Sequence, residues 1–387
     1  MDMAPDPALK PGLGHPLPML PGEGQEARWA ELATAAAEAN VFYTPDMLRA
    51  AVDHLPGKRN IRLIEVFDGT QLIGLMPVTV MSRHSRLPIS NVANWMHDHC
   101  FYGAPIIRRG AEETAWAGIL AQLDAADWAP NFLHLRSIDA AGANAAALEA
   151  VCAAQARPFS EVSRYDRALL RSDLSAEEYW ETNVRAKKRK EIRRLQKRLS
   201  DLGTVESHSL DNDADLPRWC SDFLALEASG WKGKEGTALS CSAYDSAFFR
   251  AATAAAHAEG RLRFLRLDLD GRAIAMLVNF RHGRGAFSFK IAIDEAFGRF
   301  SPGVLIEIDN LRAVQGDPEV DWMDSCAAAD HPMIESLWGE RRSIAQYRIA
   351  LRGRGIRGVR RSCAYALAGG AERAAAFLKA DDADVRS

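Results

Sequence analysis

Apolar residues fall in two matching stretches far apart in the chain. Ile61 to Val80 reads as a strand ending in Asp68-Gly69, followed by an almost wholly apolar strand. Arg261 to Phe280 repeats the pattern around Asp270-Gly271, 202 residues later. Asp-Gly between apolar strands predicts a hairpin, because a tight type I′ turn needs positive φ. In both copies the second strand has the pattern of one buried on both faces. The repeat predicts a duplicated unit, with a working cleft in one half or between the halves.

Helical periodicity surrounds each hairpin. In the first half the pattern predicts helices over 26–39, 46–52, 112–127 and 142–154. It predicts strands over 132–136 and 160–170, with an irregular segment over 91–105. Ser175 and Glu178 form a capping-box signal for one long helix reaching Leu202 and stopping at Gly203. Further helices are expected through Trp219, Phe223 and Leu226 and over 244–259, with a polar loop over 229–240. A strand over 286–293 should alternate, placing Phe287, Phe289, Ile291 and Ile293 on one face and Ser288, Lys290 and Ala292 on the other. Ser301-Pro302-Gly303 reads as an N-cap with proline at the first helical position. That helix ends at Gly316, before strands at 320–323 and 343–351 and a short helix at 333–338. The result is an α/β fold with mixed sheets. Its parts are a disordered leader (1–24), a first domain (25–172), a second domain (173–352) containing the basic helix 175–202, and a peripheral tail (353–387).

Composition narrows the function classes. The 387 residues carry 48 Lys and Arg against 51 Asp and Glu, a net charge of −3, so no global field steers the chain to nucleic acid. The six cysteines show no CxxC spacing, which argues against a zinc ribbon or disulfide framework and fits a reducing cytosol. No apolar run approaches the ~20 residues a membrane span needs. The N-terminus has six prolines by Pro21 and no apolar core segment, unlike a signal peptide. The expectation is a cytoplasmic protein, peripheral at the inner membrane if the basic helix binds there.

The element order of the second half, with Gly298-Arg299-Phe300-Ser301-Pro302-Gly303 opening a helix after a strand, resembles the GNAT acyltransferase fold. The chain is more specifically similar to tandem-GNAT, FemAB-like acyltransferases of the cellulose-biosynthesis (CelD) type, with bacterial ceramide-synthase-like members in view. The resemblance rests on KKRKEIRRLQKRL, FLALEASGWKGKEGTAL, LDGRAIAMLVNF, IDEAFGRFSPGVLIEI and WMDSC with SLWGERR. It implies two tandem GNAT-like domains and acyl transfer from a thioester to an amine. Acyl-CoA is the implied co-substrate, and the acceptor is a sphingoid-type lipid amine or an amino sugar. Arg299, Ser301 and Gly303 are the implied phosphate site. Met276, Leu277 and Val278 offer backbone to the thioester carbonyl, and Trp231, Lys232, Lys290 and Trp338 are substrate-site candidates. The phosphate loop is degenerate, and Pro302 removes an N–H donor. FemAB relatives with poor loops take an aminoacyl group from charged tRNA, so a tRNA-dependent aminoacyl ligase is the alternative, and a non-catalytic binding protein a third.

Three groups are credible as the base that deprotonates the amine: His97, His99 and Asp324. Histidine matches neutral pH best, and the 97–99 loop is expected to reach across from the first domain, with Asp324 as orienter or alternative base. His97 and His99 at i, i+2 invite a metal reading, but no further ligand cluster is visible, and no metal is expected. Ser301-Pro302-Gly303 also reads as plain capping, Lys290 as a surface lysine and Asp324 as a cap. Arg185 to Arg198 holds nine cations and one acid distributed all round a helix. A solvated face, anionic lipid and tRNA phosphate all fit that pattern.

Overall fold

The computed structural model describes residues 23–56 and 61–384. The leader expected over 1–24 lies outside that range up to residue 22. Helices α1 (Glu23–Thr34) and α2 (Pro45–His54) precede the hairpin of β1 (Arg62–Asp68) and β2 (Gln71–Met81). Then come β3 (Asn91–Asn94), β4 (Ile106–Ile107), α3 (Glu112–Ala125), β5 (Phe132–Asp139), α4 (Ala143–Ala154) and β6 (Phe159–Leu170). The second half opens with α5 (Ala176–Asn183), α6 (Ala186–Ser200), β7 (Val205–Ser209), α7 (Leu216–Ser229), α8 (Trp231–Lys234) and α9 (Ala243–Ala258). It continues through the hairpin of β8 (Leu262–Leu269) and β9 (Arg272–His282), then β10 (Gly285–Ile293), α10 (Pro302–Gln315), β11 (Trp322–Asp324), β12 (Glu340–Ala350) and α11 (Gly355–Asp384).

The duplication is visible in the pairing. In the first half β2 meets β3 antiparallel, α3 crosses over, and β5 returns parallel to β3. In the second, β9 meets β10 antiparallel, α10 crosses over, and β11 returns parallel to β10. Each half then lends its last strand to the other. β6 pairs with β11 of the second half, β12 pairs with β5 of the first, and β6 and β12 pair with each other. The outcome is a single mixed sheet in the order β1-β2-β3-β5-β12-β6-β11-β10-β9-β8-β7, with β4 on the side of β2. A boundary at residue 173 therefore does not divide the sheet. One apolar core also runs through both halves, holding Phe42, Trp116 and Leu133 with Phe223, Phe248 and Phe287. A smaller core on the opposite face packs Leu305 and Ile306 of α10 and Ile192 and Leu199 of α6 against Ile274 and Leu277.

Local details differ from the sequence pattern for identifiable reasons. The loop after β8 is Asp270-Gly271 with φ of 51° and 76°, the two positive values a type I′ turn requires. After β1 the loop is Gly69-Thr70, because Asp68 still pairs with Gln71, and of these loop residues only Gly69 has positive φ. The capping box of Ser175 and Glu178 forms. The helix it starts is broken, however, because Val184 and Arg185 turn extended and Val184 is buried. Arg189 then donates to the Val184 carbonyl at 2.6 Å and to that of Glu181, satisfying the freed end of α5. The charges of α6 do not run all round it: Ile192, Leu195 and Leu199 form a buried stripe. The expected tail is a helix that packs on the first half, where buried Arg361 donates to the carbonyls of Pro130 and Ala129, both at 2.7 Å.

A buried ion cluster closes the seam. Asp324 is fully buried at the end of β11, and its Oδ2 accepts from Arg167 of β6 at 2.6 Å and Arg342 of β12 at 2.8 Å. Arg342 also donates to Asp139 of β5 at 2.8 Å. Burial alone would raise the Asp324 pKa, but the two guanidiniums hold it below the usual carboxylate range. This goes against the expectation of Asp324 as a catalytic base: it is fully buried and both of its oxygens are taken, Oδ2 by the two arginines and Oδ1 by the Cys326 N–H. Asp324→Asn removes one partner of a buried ion cluster. It should lower stability by roughly 3–5 kcal/mol, read as the midpoint of urea unfolding; an unchanged midpoint would contradict this role.

Candidate functional site

In each half the parallel strand pair splays into a V, and the two Vs differ. In the first, β3 pairs with β5 at Val92 and Ala93 and then leaves it. The chain's own residues fill the gap. Asn94 exchanges hydrogen bonds with Arg136, and the Gly103 N–H donates to the Ser137 carbonyl at 2.8 Å. Gly103 is glycine because a Cβ there would collide with Asn94 and the Arg136 carbonyl. In the second half β10 pairs with β11 only over Gly285 to Phe287 and runs on to Ile293 alone. The Asp294 N–H donates to the Ile274 carbonyl, so residues 292 and 290 share that pairing with β9. The backbone of Ile291 and Ile293 therefore faces into the open V.

A β-bulge in β10 aims the key side chain. Ser288 pairs with Asn279 and Lys290 with Val278, which leaves Phe289 as the extra residue. The bulge corrects the simple alternation: beyond it Ala292 joins the Phe287 and Phe289 core, while Ile291 and Ile293 pack on the opposite face. Lys290 consequently lies on the Phe289 side rather than away from it, with its ammonium 5.8 Å from the Phe289 ring. Burial lowers its pKa and Lys232 adds to the effect, while Glu227, Asp245 and Asp98 oppose it.

The segment that fills the first V delivers its histidines to the second half. His99 Nε2 lies 2.9 Å from Asp245 Oδ1 on α9, and its ring stacks on Phe248 at 5.4 Å. A neutral ring donating from Nε2 leaves Nδ1 as a lone pair, and that atom is buried without a partner. Burial lowers the His99 pKa, Lys290 lowers it further, and Asp245 opposes. His97 Nδ1 accepts the His99 backbone N–H at 3.2 Å, and burial with neighbouring His99 brings its pKa down to about 3. Lys232 on α8 bridges the V mouth, donating to Glu227 at 3.0 Å and to the Ile291 carbonyl at 3.2 Å. Glu227 also accepts the Leu239 N–H at 2.8 Å, so the 229–240 segment is a tethered short helix and turn rather than a plain loop.

On the other face α10 begins at Ser301, which adopts left-handed backbone (φ 55°) and makes no side-chain cap. Pro302 has no N–H, and those of Val304 and Leu305 return to the Ser301 carbonyl. Gly303 supplies the remaining first-turn N–H, and a Cβ there would come within 3.3 to 3.6 Å of Met333, Ile293 and Ile291. Ser301 and Val304 line a cleft of about 830 Å³ together with Arg185, Lys187, Lys188, Arg341 and Trp338.

The structure thus gathers His97, His99, Lys290 and Lys232 on one side of the V, and Ser301 and Trp338 in the cleft behind it. Arg299 stands apart, exposed, with its guanidinium 4.8 Å over Phe300. Trp231 is exposed at 55% and carries its N–H to Glu295. Met276, Leu277 and Val278 cannot present backbone to a thioester, because all three are buried in a strand paired on both sides. Asp245 and Glu227 escaped the sequence reading. Glu227 had a signal, an acid at a core position of α7 in the Cys220, Phe223, Glu227 spacing; Asp245 looked like an ordinary first-turn acid. Among the described residues no group of three or more His, Cys, Asp or Glu could hold a metal ion.

Buried histidines make stability depend on pH. Burial lowers His134 and His282 to about 4 and His97 to about 3, and it lowers His99 as well. Below about 6.5 the unfolded chain protonates these rings while the folded chain does not, so stability is lost as pH falls. The urea midpoint should drop steadily from pH 7 towards pH 4.5, by at most about 1.4 kcal/mol per pH unit for each ring. A flat midpoint over that window would contradict the buried neutral state.

Residues 186–331 match the family model for an acetyltransferase (GNAT) domain. No curated protein matches the chain in sequence. Among solved structures, FemX shares the fold with a TM-score of 0.54 at 10% identity, over 84% of this chain and 95% of that one. A conserved protein of unknown function from Bacteroides thetaiotaomicron VPI-5482 gives 0.55 at 11%, over 85% and 97%. The C-terminal domain of a protein assigned as a lysylphosphatidylglycerol synthetase, from Agrobacterium fabrum, gives 0.51 at 10%, over 84% and 91%. Residues 186–331 are thus similar to a GNAT acetyltransferase domain, and the chain as a whole, one mixed α/β sheet, shares its fold with FemX.

Proposed function

We propose that the protein transfers an acyl group from a coenzyme A thioester to a primary amine in the V of the second half. The observation that carries this reading is the unpaired backbone N–H groups of Ile291 and Ile293 on β10, the strand whose Phe289 and Lys290 face the His99–Asp245 pair. Their N–H groups face the V and are suited to hydrogen-bond a thioester oxygen as it gains charge. Asp245 fixes the tautomer of His99, whose Nδ1 lone pair then serves as base. The amine nitrogen attacks the thioester carbon, the C–S bond breaks and an amide forms. The proton lost by the amine passes through His99 to the departing thiolate. Lys290 helps keep His99 unprotonated and ready to accept it. His99 is almost wholly buried, so acceptor entry requires the side chains packed around it to move.

The acceptor class follows from the chemistry as an amine. The membrane-face reading finds only partial support in α6, where Lys188, Arg189, Arg194 and Arg198 are engaged by Ser336, backbone carbonyls, Glu191 and the Phe300 ring. Among the described residues no helix is long and apolar enough to cross a membrane. The single available N–H at the start of α10 favours one second reading, an aminoacyl group arriving on tRNA, which RNase treatment would abolish.

His99→Ala should cut kcat for acyl-CoA-dependent amine acylation by roughly 10²-fold or more, and Asp245→Asn by less. The check is steady-state kinetics across pH, with thiol release as the readout. Near-normal kcat in both variants would place the base elsewhere.

A further inference from the structure

The outward face of α11 is apolar. Ile356, Val359, Cys363 and Leu367 follow one another at i, i+3, i+7 and i+11, a spacing that sets them in one stripe along the helix. Ile356 is 90% exposed, Val359 65% and Leu367 63%, and Cys363 is exposed as well. Single exposed apolar residues are ordinary, but a row of them about three turns long is not. The stripe cannot roll inward, because the opposite face is taken. Arg361, Ala364 and Ala368 are buried there, the Tyr365 hydroxyl meets that of Ser160 at 2.8 Å, and Glu372 pairs with Arg348 at 3.0 Å.

The same stretch is basic. Arg352 to Arg361 holds five arginines, and no acid follows until Glu372. Three of the five side chains are held by the protein: Arg361 by the Pro130 carbonyl at 2.7 Å, Arg357 by Asp127 at 3.0 Å and Arg352 by the Gln155 carbonyl. Among the described residues the exposed side chains of Arg354 and Arg360 make neither a hydrogen bond nor an ion pair. One precedes Ile356 and the other follows Val359, so two unmatched cations flank the most exposed end of the stripe. They also sit at a helix N-terminus, where positive charge is unfavourable unless an anion meets it.

We infer that α11 docks on an anionic lipid bilayer, with Ile356, Val359 and Leu367 below the headgroups and Arg354 and Arg360 on lipid phosphates. A helix lying in the interface needs these two features together, because apolar burial and attraction to anionic headgroups add. A second copy of the chain would bring the same unmatched arginines to the contact, with no acid on the stripe to meet them. RNA would engage the cations and leave the apolar row in water. The inference does not depend on the acyl-transfer reading, and it concerns a surface other than the basic face of α6.

Co-sedimentation of the full chain with vesicles tests this, using phosphatidylcholine alone and phosphatidylcholine mixed with phosphatidylglycerol. The expected result is binding to the anionic vesicles only, weakening as salt rises. Ile356→Ser/Val359→Ser and Arg354→Gln/Arg360→Gln should each weaken binding by roughly tenfold or more, and the arginine variant should show a flatter salt dependence. All four side chains are exposed, so the urea midpoints should stay at the wild-type value. Lys190→Gln/Arg193→Gln, on the exposed side of α6, should change binding by less than about twofold. Wild-type protein that ignores anionic vesicles overturns the proposal. So does a loss of binding in the α6 variant with none in the two α11 variants. Self-association that Ile356→Ser/Val359→Ser abolishes, seen by analytical ultracentrifugation without vesicle binding, replaces the bilayer with a second copy and overturns it. Binding of tRNA that falls in Arg354→Gln/Arg360→Gln and not in Ile356→Ser/Val359→Ser, without vesicle binding, overturns it in favour of RNA.

Discussion

Everything in this molecule is built around one buried carboxylate shared by two arginines. Asp324 sits where β11, β6 and β12 meet, and Arg167 and Arg342 reach it from the two exchanged strands. Three buried charges are tolerable only where the geometry pairs them closely, and here every group but Arg167 Nε finds a partner. The Cys326 N–H takes the second oxygen at 2.8 Å, Arg167 also donates to the Phe101 carbonyl at 2.9 Å, and Arg342 lies 4.1 Å over the Tyr102 ring. The cluster fixes the register of the middle of the sheet, since a slip of one residue would turn any of these groups to the other face. It also fixes where β11 stops, and so where β10 is left alone.

Duplication with exchange explains why the two Vs differ. Both halves contain a parallel pair that splays. The first fills its V with residues 94 to 103, and that filling segment carries His97 and His99 into the second half. Closing one V therefore furnishes the other. The same segment supplies the Phe101 carbonyl that Arg167 needs, so the histidine loop is anchored to the seam rather than free on the surface. The site is assembled from two halves that share a core, which is why its geometry depends on the sheet and not on a domain hinge.

What the sequence revealed and what it hid divide along physical lines. The Asp270-Gly271 turn, the Ser175 capping box, the Pro302 start of α10 and the histidine loop are local signals, and each was readable because a turn or cap needs particular residues in place. Non-local facts were not. Nothing in Phe289 announces a bulge, yet that one extra residue turns Lys290 onto the face where His99 lies. Nothing in Glu340 to Ala350 says that the last strand will pair with the first half. Val184 looked like an ordinary apolar helical position, and burial against the smaller core drew it out of the helix. Asp324 was noticed for the right reason, an acid ending a strand, and given the wrong task because its two arginine partners lie 157 and 18 residues away.

The exchanged strands also decide how the chain can fold. Residues 25 to 172 by themselves contain β5 and β6 but not the strand that lies between them. In the whole protein β12 pairs with both, along almost the full length of β6. A first half folded alone would show unpaired edges on β5 and β6, the arrangement that invites edge-to-edge association. β12 is also the last strand made, so the central pairing must wait for nearly the entire chain, and loop closure of that span opposes early formation. The Asp324 cluster is subject to the same delay, because its three members come from β6, β11 and β12. The halves are therefore one cooperative unit with two repeats of pattern. The open V, whose mouth is defined by the end of β11, comes into being only when that last strand has closed the sheet.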